Sequence, residues 1–264
     1  MGDEKEEGGY TLNNLITSLL LFINNPEVRD TDYQIASCLL EHCHEIKNMT
    51  IQELAEKSYV SVSTINRFLK MYGFSRYSIF KVAFYQHVQM RYRQMIERLH
   101  LRDPEQIDIL LHAILSEQQY QEVTDQTKIE RFCQAIDRAE RLVLIGSDEM
   151  IATALRFQGD FVVMGKTVLK DSMYKGNRLA LQASDLVFIF SMTGRIFDLS
   201  NHLLQDLQIN QPEIWMCGHY NFLAEENSFF GIPEAIDEIA ENLIFDYYLS
   251  TITYHYAQGN LYDR

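Results

Sequence analysis

The chain has 264 residues, 47% of them apolar, which is enough to bury the core of one large domain or two ordinary ones. Its formal net charge of −14, taken whole, argues against a polyanionic partner. The apolar stretch Leu15–Ile23 is flanked by Asn13, Asn14 and Asn24 and falls short of the roughly 18–20 residues a membrane-spanning helix needs; the acidic start (Asp3, Glu4, Glu6, Glu7) has the wrong charge for a secretory leader, so a cytoplasmic protein without a membrane partner is expected.

Residues 1–9 read as a disordered acidic tail. Leu12, Leu15, Ile16, Leu19 and Leu20 then mark an amphipathic helix, and Tyr33, Ile35, Ala36, Leu39 and Leu40 mark a second over Thr31–Ile46. Cys38, His42, Cys43 and His44 cluster in that second helix, but only Cys38 and His42 share a face. Structural roles are expected there, and neither a metal nor a cofactor. With Cys133 and Cys217 the cysteines number four, scattered and without CxxC spacing, so no disulfide framework is implied. The pattern stays helical to about residue 139, interrupted near Arg102–Pro104, where Asp103 resembles a cap and Pro104 a first helical residue.

Beyond residue 139 strands alternate with helices. Arg141–Gly146, Lys166–Leu169, Asp185–Ser191 and Glu213–Cys217 read as strands; Met150–Met164, Ser172–Leu181 and Ile196–Leu207 read as helices. A long helix from about Pro233 to Tyr256 closes the chain, with apolar and aromatic groups on more than one face, as in a buried helix or an oligomer interface. The fold class expected is an all-α N-terminal domain followed by an α/β doubly wound parallel sheet, with ligands outside the carboxyl ends of its strands. The boundaries expected are 10–84 for the helical domain, 85–105 for a linker helix and 106–264 for the α/β domain.

Met49–Lys70 (MTIQELAEKSYVSVSTINRFLK) carries a helix-turn-helix pattern. Thr50 and Glu53 form a capping box, Val60 is the apolar turn residue, and Ser61 caps the second helix. Ile65, Phe68 and Leu69 form that helix's buried stripe, leaving Ser63, Asn66, Arg67 and Lys70 outward to meet bases and phosphates, although Arg67 is equally suited to bracing the fold. From Lys57 to Arg102 nine basic residues face one glutamate, a net +8, leaving −22 on the rest of the chain. This division reverses what the overall charge implies, because a Debye length of about 8 Å separates the two regions electrostatically. Arg76 and Lys81 join Lys70 as expected phosphate contacts; Tyr77 and Phe80 are expected in the core.

The stretch Glu53–Lys81 (ELAEKSYVSVSTINRFLKMYGFSRYSIFK) closely resembles the DNA-binding domain of RpiR-type transcriptional regulators, through Leu54, Ala55, Val60, Ser61, Thr64, Ile65, Arg67, Phe68, Lys70, Gly73, Phe74, Tyr77, Phe80 and Lys81. The resemblance continues into the sugar isomerase (SIS) domain these regulators carry, at Leu142–Ala152 (LVLIGSDEMIA) and Asp185–Ile196 (DLVFIFSMTGRI). It implies an effector site at Gly146, Ser147, Ser191, Thr193, Gly194 and Arg195. The same comparison shows departures: Asp148 replaces a glycine, Met150 a serine and Ile196 a threonine, and Asp148 with Glu149 would oppose an anionic ligand while Arg195 partly offsets them. Two outcomes stay open, a retained phosphosugar site or a domain that binds something less anionic or only dimerises.

No catalytic set is found. His202 and His219 are acid/base candidates by type alone, His219 lying near the expected pocket mouth, and Trp215 is expected in the core. The function expected is a regulator, not an enzyme, binding operator DNA as a homodimer or homotetramer and controlling carbohydrate or related metabolism genes in response to a small-molecule effector. The alternative is a sugar-phosphate isomerase or sugar-phosphate-binding protein with an accessory helical domain.

Overall fold

A computed structural model describes residues 15–25, 30–100, 104–146, 148–171, 179–199, 201–234 and 238–261. The acidic tail, Asp103 and most of the helix expected over Ser172–Leu181 lie outside them.

The first five helices are α1 (Leu15–Ile23), α2 (Thr31–Glu41), α3 (Ile51–Lys57), α4 (Val62–Met71) and α5 (Tyr77–His100). Local chemistry fixes their starts. Asp30 caps α2 by accepting from the backbone N–H groups of Asp32 and Tyr33. Thr50 and Glu53 close the expected capping box on α3, and Ser61 caps α4 through the Thr64 N–H. Gly73, at φ 80°, takes the left-handed conformation that ends the run from α4. Helix α2 stops at Glu41, short of the expected Ile46, because the residues after His42 turn to serve another helix. Ile16, Leu19, Leu39, Leu54, Ile65, Phe68, Phe80 and Phe84 are fully buried between these elements. Helix α5 runs without a break across the boundary expected at residue 84.

Helices α6 (Pro104–Ile114), α7 (Glu117–Val123) and α8 (Gln126–Arg138) lead into the sheet. Its strands are β1 (Arg141–Gly146), β2 (Thr167–Asp171), β3 (Asp185–Phe190), β4 (Glu213–Gly218) and β5 (Phe229–Gly231), all parallel, in the order β2-β1-β3-β4-β5. This is a doubly wound parallel arrangement, with its switch point between β1 and β3. The three-residue strand β5 is not among the strands expected from sequence, being too short to show a period. Helix α9 (Asp148–Val163) connects β1 to β2, α10 (Arg195–Leu199) and α11 (Asn201–Asn210) divide what the sequence reads as one helix, and α12 (Glu238–Leu261) closes the domain.

Side chains alternate between the two faces of the sheet. Val143, Ile145, Val187, Ile189 and Met216 meet Ile196, Leu203 and Leu207 of α10 and α11. Leu142, Leu144, Leu186, Phe188 and Trp215 face the other way, toward α8, α9 and α12, where Phe132 packs on Phe188, Trp215 and Phe230. Each such fully buried ring contributes roughly 1.5–3 kcal/mol. Ile244, Phe245, Tyr248 and Ile252 of α12 are buried in this same core, which accounts for much of that helix's apolar surface within one chain. At the amino ends of the strands, Arg141 donates to both carboxylate oxygens of the buried Asp185, at 2.7 and 2.6 Å, and ties β1 to β3.

The helical and α/β regions share one continuous apolar cluster, and α9 lies at their junction. Asn24, after α1, exchanges side-chain amide hydrogen bonds with Gln158 of α9, at 2.8 and 3.1 Å. The Cys43 thiol donates to the Val162 carbonyl, and His44 Nε2 lies 2.8 Å from the Val163 carbonyl, so the cysteine–histidine cluster satisfies the last turn of α9. Arg98 of α5 pairs with Asp160 of α9, which is only 4% exposed.

Burial raises the Asp160 carboxyl above the usual carboxylate range, and Arg98 opposes that rise. Arg98→Met should therefore remove the direct partner of a buried carboxylate, which Arg91 and Arg156 offset only in part, and destabilise the fold by about 3 kcal/mol near pH 8. A carboxyl raised in the folded state takes up its proton there first, so the deficit should shrink as pH falls toward about 5. Chemical denaturation of both proteins at the two pH values measures this difference.

Candidate functional site

Helices α3 and α4 form the helix-turn-helix, joined through Tyr59, which is 89% exposed and adopts φ 54°. Ala55 is buried where the helices cross, as are Ile65, Phe68 and Leu69 on the inner face of α4. The opposite face of α4 presents Ser63, Asn66, Arg67 and Lys70 to solvent. At its N-terminus the hydroxyls of Ser61, Ser63 and Thr64 are linked at 2.7 and 2.8 Å, beside the positive end of the helix dipole.

The cations of this region are not equally available. Arg67 reaches back to α2, where it donates to Asp32 at 2.8 Å and to the Thr31 hydroxyl at 3.4 Å. Lys81 is half-buried and donates to the Met49 carbonyl at 3.3 Å, which also accepts from the Tyr77 hydroxyl at 3.0 Å. Arg98 is turned toward Asp160, and Arg91 also lies close enough to lower the carboxyl of Asp160. Among the described residues, the exposed cations without an ion pair on this side are Lys70, Arg76 and Arg93, while Lys57 stands 3.9 Å from Glu45. The basic surface is thus smaller than the +8 window suggests, and concentrates on α4 and the turn that follows it.

At the carboxyl edge of the sheet, Gly146 ends β1 and Ser191 follows β3, on the two sides of the switch point. Ser147, with the side chains of Asp148 and Glu149, lies outside the described residues. Ser191 is buried, and its Oγ accepts from the Gly194 N–H at 3.1 Å. Thr193 and Arg195 are exposed, whereas Gly194 is buried. Gly194 has φ 74°, and a Cβ placed on it would lie 2.2 Å from the ring of Phe222. Phe222 lies in turn near Phe197, tilted, and near Tyr220, edge-on, so an aromatic group lies over the loop where the effector site was expected. Met150 and Ile196, where the resemblance implies the loss of hydroxyls, are both buried in apolar clusters.

His219 does not face an open pocket. Its Nδ1 lies 2.8 Å from the Ile232 carbonyl, which can only accept, so that nitrogen carries a proton; Nε2 lies 3.2 Å from Glu241 of α12. His202 is exposed on α11, and Trp215 is core, its indole N–H donating to Glu213 at 3.0 Å. No cluster of three or more metal-binding side chains occurs among the described residues.

A separate cavity of about 540 Å³ opens between α5, α6, α9 and α12. Nothing in the sequence pattern points to it, since its wall residues are spread along the chain from Gln94 to Thr253.

Residues 19–91, which contain the whole capped α3–α4 unit, match the model of the rpiR-family helix-turn-helix domain. This segment is an rpiR-family helix-turn-helix domain. Solved structures similar to the chain include the Vibrio vulnificus NanR protein complexed with ManNAc-6P, at 15% identity over 93% of this chain and 92% of that one, with a TM-score of 0.44. Another, described as a hypothetical protein, has 15% identity over 66% of this chain and 90% of that one, with a TM-score of 0.41. Among curated proteins no relative matches the chain. The rpiR-family match stops at residue 91, within α5, so that single helix carries the DNA-binding unit into the α/β domain.

Substituting Gly194→Ala should destabilise the protein by about 1–3 kcal/mol, through left-handed strain and collision with Phe222. Adding Phe222→Ala should recover the part due to collision and leave about 1 kcal/mol of backbone strain. Thermal or denaturant unfolding of the single and double variants separates the two.

Proposed function

We propose that the protein is a transcriptional regulator of the RpiR type that binds operator DNA through α4, with an α/β domain answering to a small molecule. This reading rests on one observation: an rpiR-family helix-turn-helix whose second helix buries Ile65, Phe68 and Leu69 and leaves Ser63, Asn66, Arg67 and Lys70 exposed. Ser63 and Asn66 are suited to base edges, Asn66 to adenine; Lys70 and Arg76 supply phosphate contacts. Arg67 and Lys81 contribute differently. Both brace the unit, Arg67 by holding α4 against the start of α2, and its guanidinium meets DNA only by exchanging Asp32 for a phosphate or a base. Reading two half-sites about 34 Å apart requires two copies, so a homodimer or homotetramer belongs to the proposal.

The effector loop proposed at the switch point comprises Gly146, Ser147, Ser191, Thr193, Gly194 and Arg195. Exposed Thr193 and Arg195 support a polar or anionic ligand there. The burial of Met150 and Ile196 and the ring of Phe222 over Gly194 oppose a phosphosugar bound deeply in this loop. Such a ligand would have to displace Phe222. The isomerase alternative gains no support from His219, whose ring is engaged by Ile232 and Glu241.

Binding of the purified protein to sheared genomic DNA, followed by sequencing of the retained fragments, tests the regulator reading. One or a few enriched sites are expected, and uniform retention would overturn it. On the recovered site, Lys70→Ala and Arg76→Ala should each reduce the salt slope by about 0.9, whereas Lys81→Ala should act mainly on stability. Arg67→Ala is expected to lower affinity as well as stability, and Asp32→Asn, which frees Arg67 for DNA, is expected to preserve affinity.

A further inference from the structure

The cavity between α5, α6, α9 and α12 is separate from the loop at the strand ends. Its volume of about 540 Å³ falls within the roughly 300–1,000 Å³ range of small-molecule sites. Phe157 and Leu249 supply apolar wall, and Thr153 and Ser250 supply hydroxyls.

The charges of the wall select the ligand. Three carboxylates, Glu97, Asp160 and Asp246, face two guanidiniums. Both guanidiniums are engaged, Arg98 with Asp160 and Arg156 with Asp246. An anionic ligand would compete with Asp160 and Asp246 for these guanidiniums, and weakening the Arg98 contact would cost the buried Asp160 its hydrogen-bonded partner. Glu97 has no ion pair among the described residues, so the wall carries an excess of one negative charge. We propose that this cavity is a second ligand site, which takes a small amine with hydroxyl or apolar body groups, its ammonium held at Glu97 and its body against Phe157 and Leu249.

The site also lies where a ligand can act on the DNA-binding unit. Glu97 and Arg98 belong to α5, which continues from the helix-turn-helix, while Phe157 and Leu249 belong to α9 and α12 of the α/β domain. A molecule that binds better in one arrangement of these helices shifts the population toward it. This coupling rests on the regulator reading; the binding site itself does not.

Calorimetry on the full chain, without DNA, tests the site with putrescine, spermidine and glucosamine, against glucose and glucose 6-phosphate. At least one amine should saturate in the micromolar to low-millimolar range. Ser250→Trp, which fills the cavity, should abolish that binding, and the surface change Glu97→Gln should weaken it about three- to fivefold. The proposal is overturned if none of the three amines saturates, or if their binding survives both Ser250→Trp and Glu97→Gln. It is also overturned if glucose 6-phosphate binds and Ser250→Trp abolishes it, or if Ser250→Trp turns a sedimenting dimer into a monomer, since the cavity would then be a subunit interface. Loss of amine binding with operator binding intact refutes the site alone; the reverse refutes the regulator reading alone.

Discussion

Helix α9 is the constraint on which both halves of the molecule depend. It connects β1 to the edge strand β2, and it also receives α1 and α5 on its outer side. From Phe157 to Val163 every residue of this helix is buried, yet the stretch carries the polar Gln158 and Asp160. Each is satisfied by a residue from the helical region, Gln158 by Asn24 and Asp160 by Arg98. Undocking that region would expose apolar surface and also leave an amide and a carboxylate to find new partners. The two parts therefore pack as one body, with α5 packed on α9.

This packing draws on the basic residues of the DNA-binding region. Arg98 is turned inward, Lys81 is spent on a backbone carbonyl, and Arg67 is tied to Asp32. The cations left outward, chiefly Lys70 and Arg76, lie on α4 and the turn after it. A net charge per segment counts residues without regard to which of them the fold has already engaged. Here the difference narrows the surface suited to a polyanion from a whole region to one helix face.

How much the sequence revealed follows the range of the interactions. The Thr50–Glu53 box, the Ser61 cap, the left-handed Gly73 and the stripe of Ile65, Phe68 and Leu69 are set within a few residues and were legible. So were the four longer strands, whose apolar runs reflect burial on both faces. The end of α2 at Glu41 was not, because the carbonyls that Cys43 and His44 serve lie 119 residues away. At the strand ends, the framework of Gly146, Ser191 and Gly194 could be seen, and so could the loss of hydroxyls at Met150 and Ile196. That Phe222 covers Gly194 is a matter of tertiary approach, which spacing along the chain does not encode. The cavity beside α5 is a stronger case of the same kind.

Helix α5 has a mechanical consequence of its own. Its 24 residues make a rod about 36 Å long, gripped by α9 and packed against α4 at its amino end. A tilt of about 5° at the gripped end sweeps the far end through about 3 Å, roughly the length of a hydrogen bond. In the symmetric pair proposed for DNA binding the two displacements would add, altering the separation of the reading helices while a duplex keeps its own repeat fixed. A change too small to disturb the fold can in this way decide whether both copies engage the same stretch of DNA.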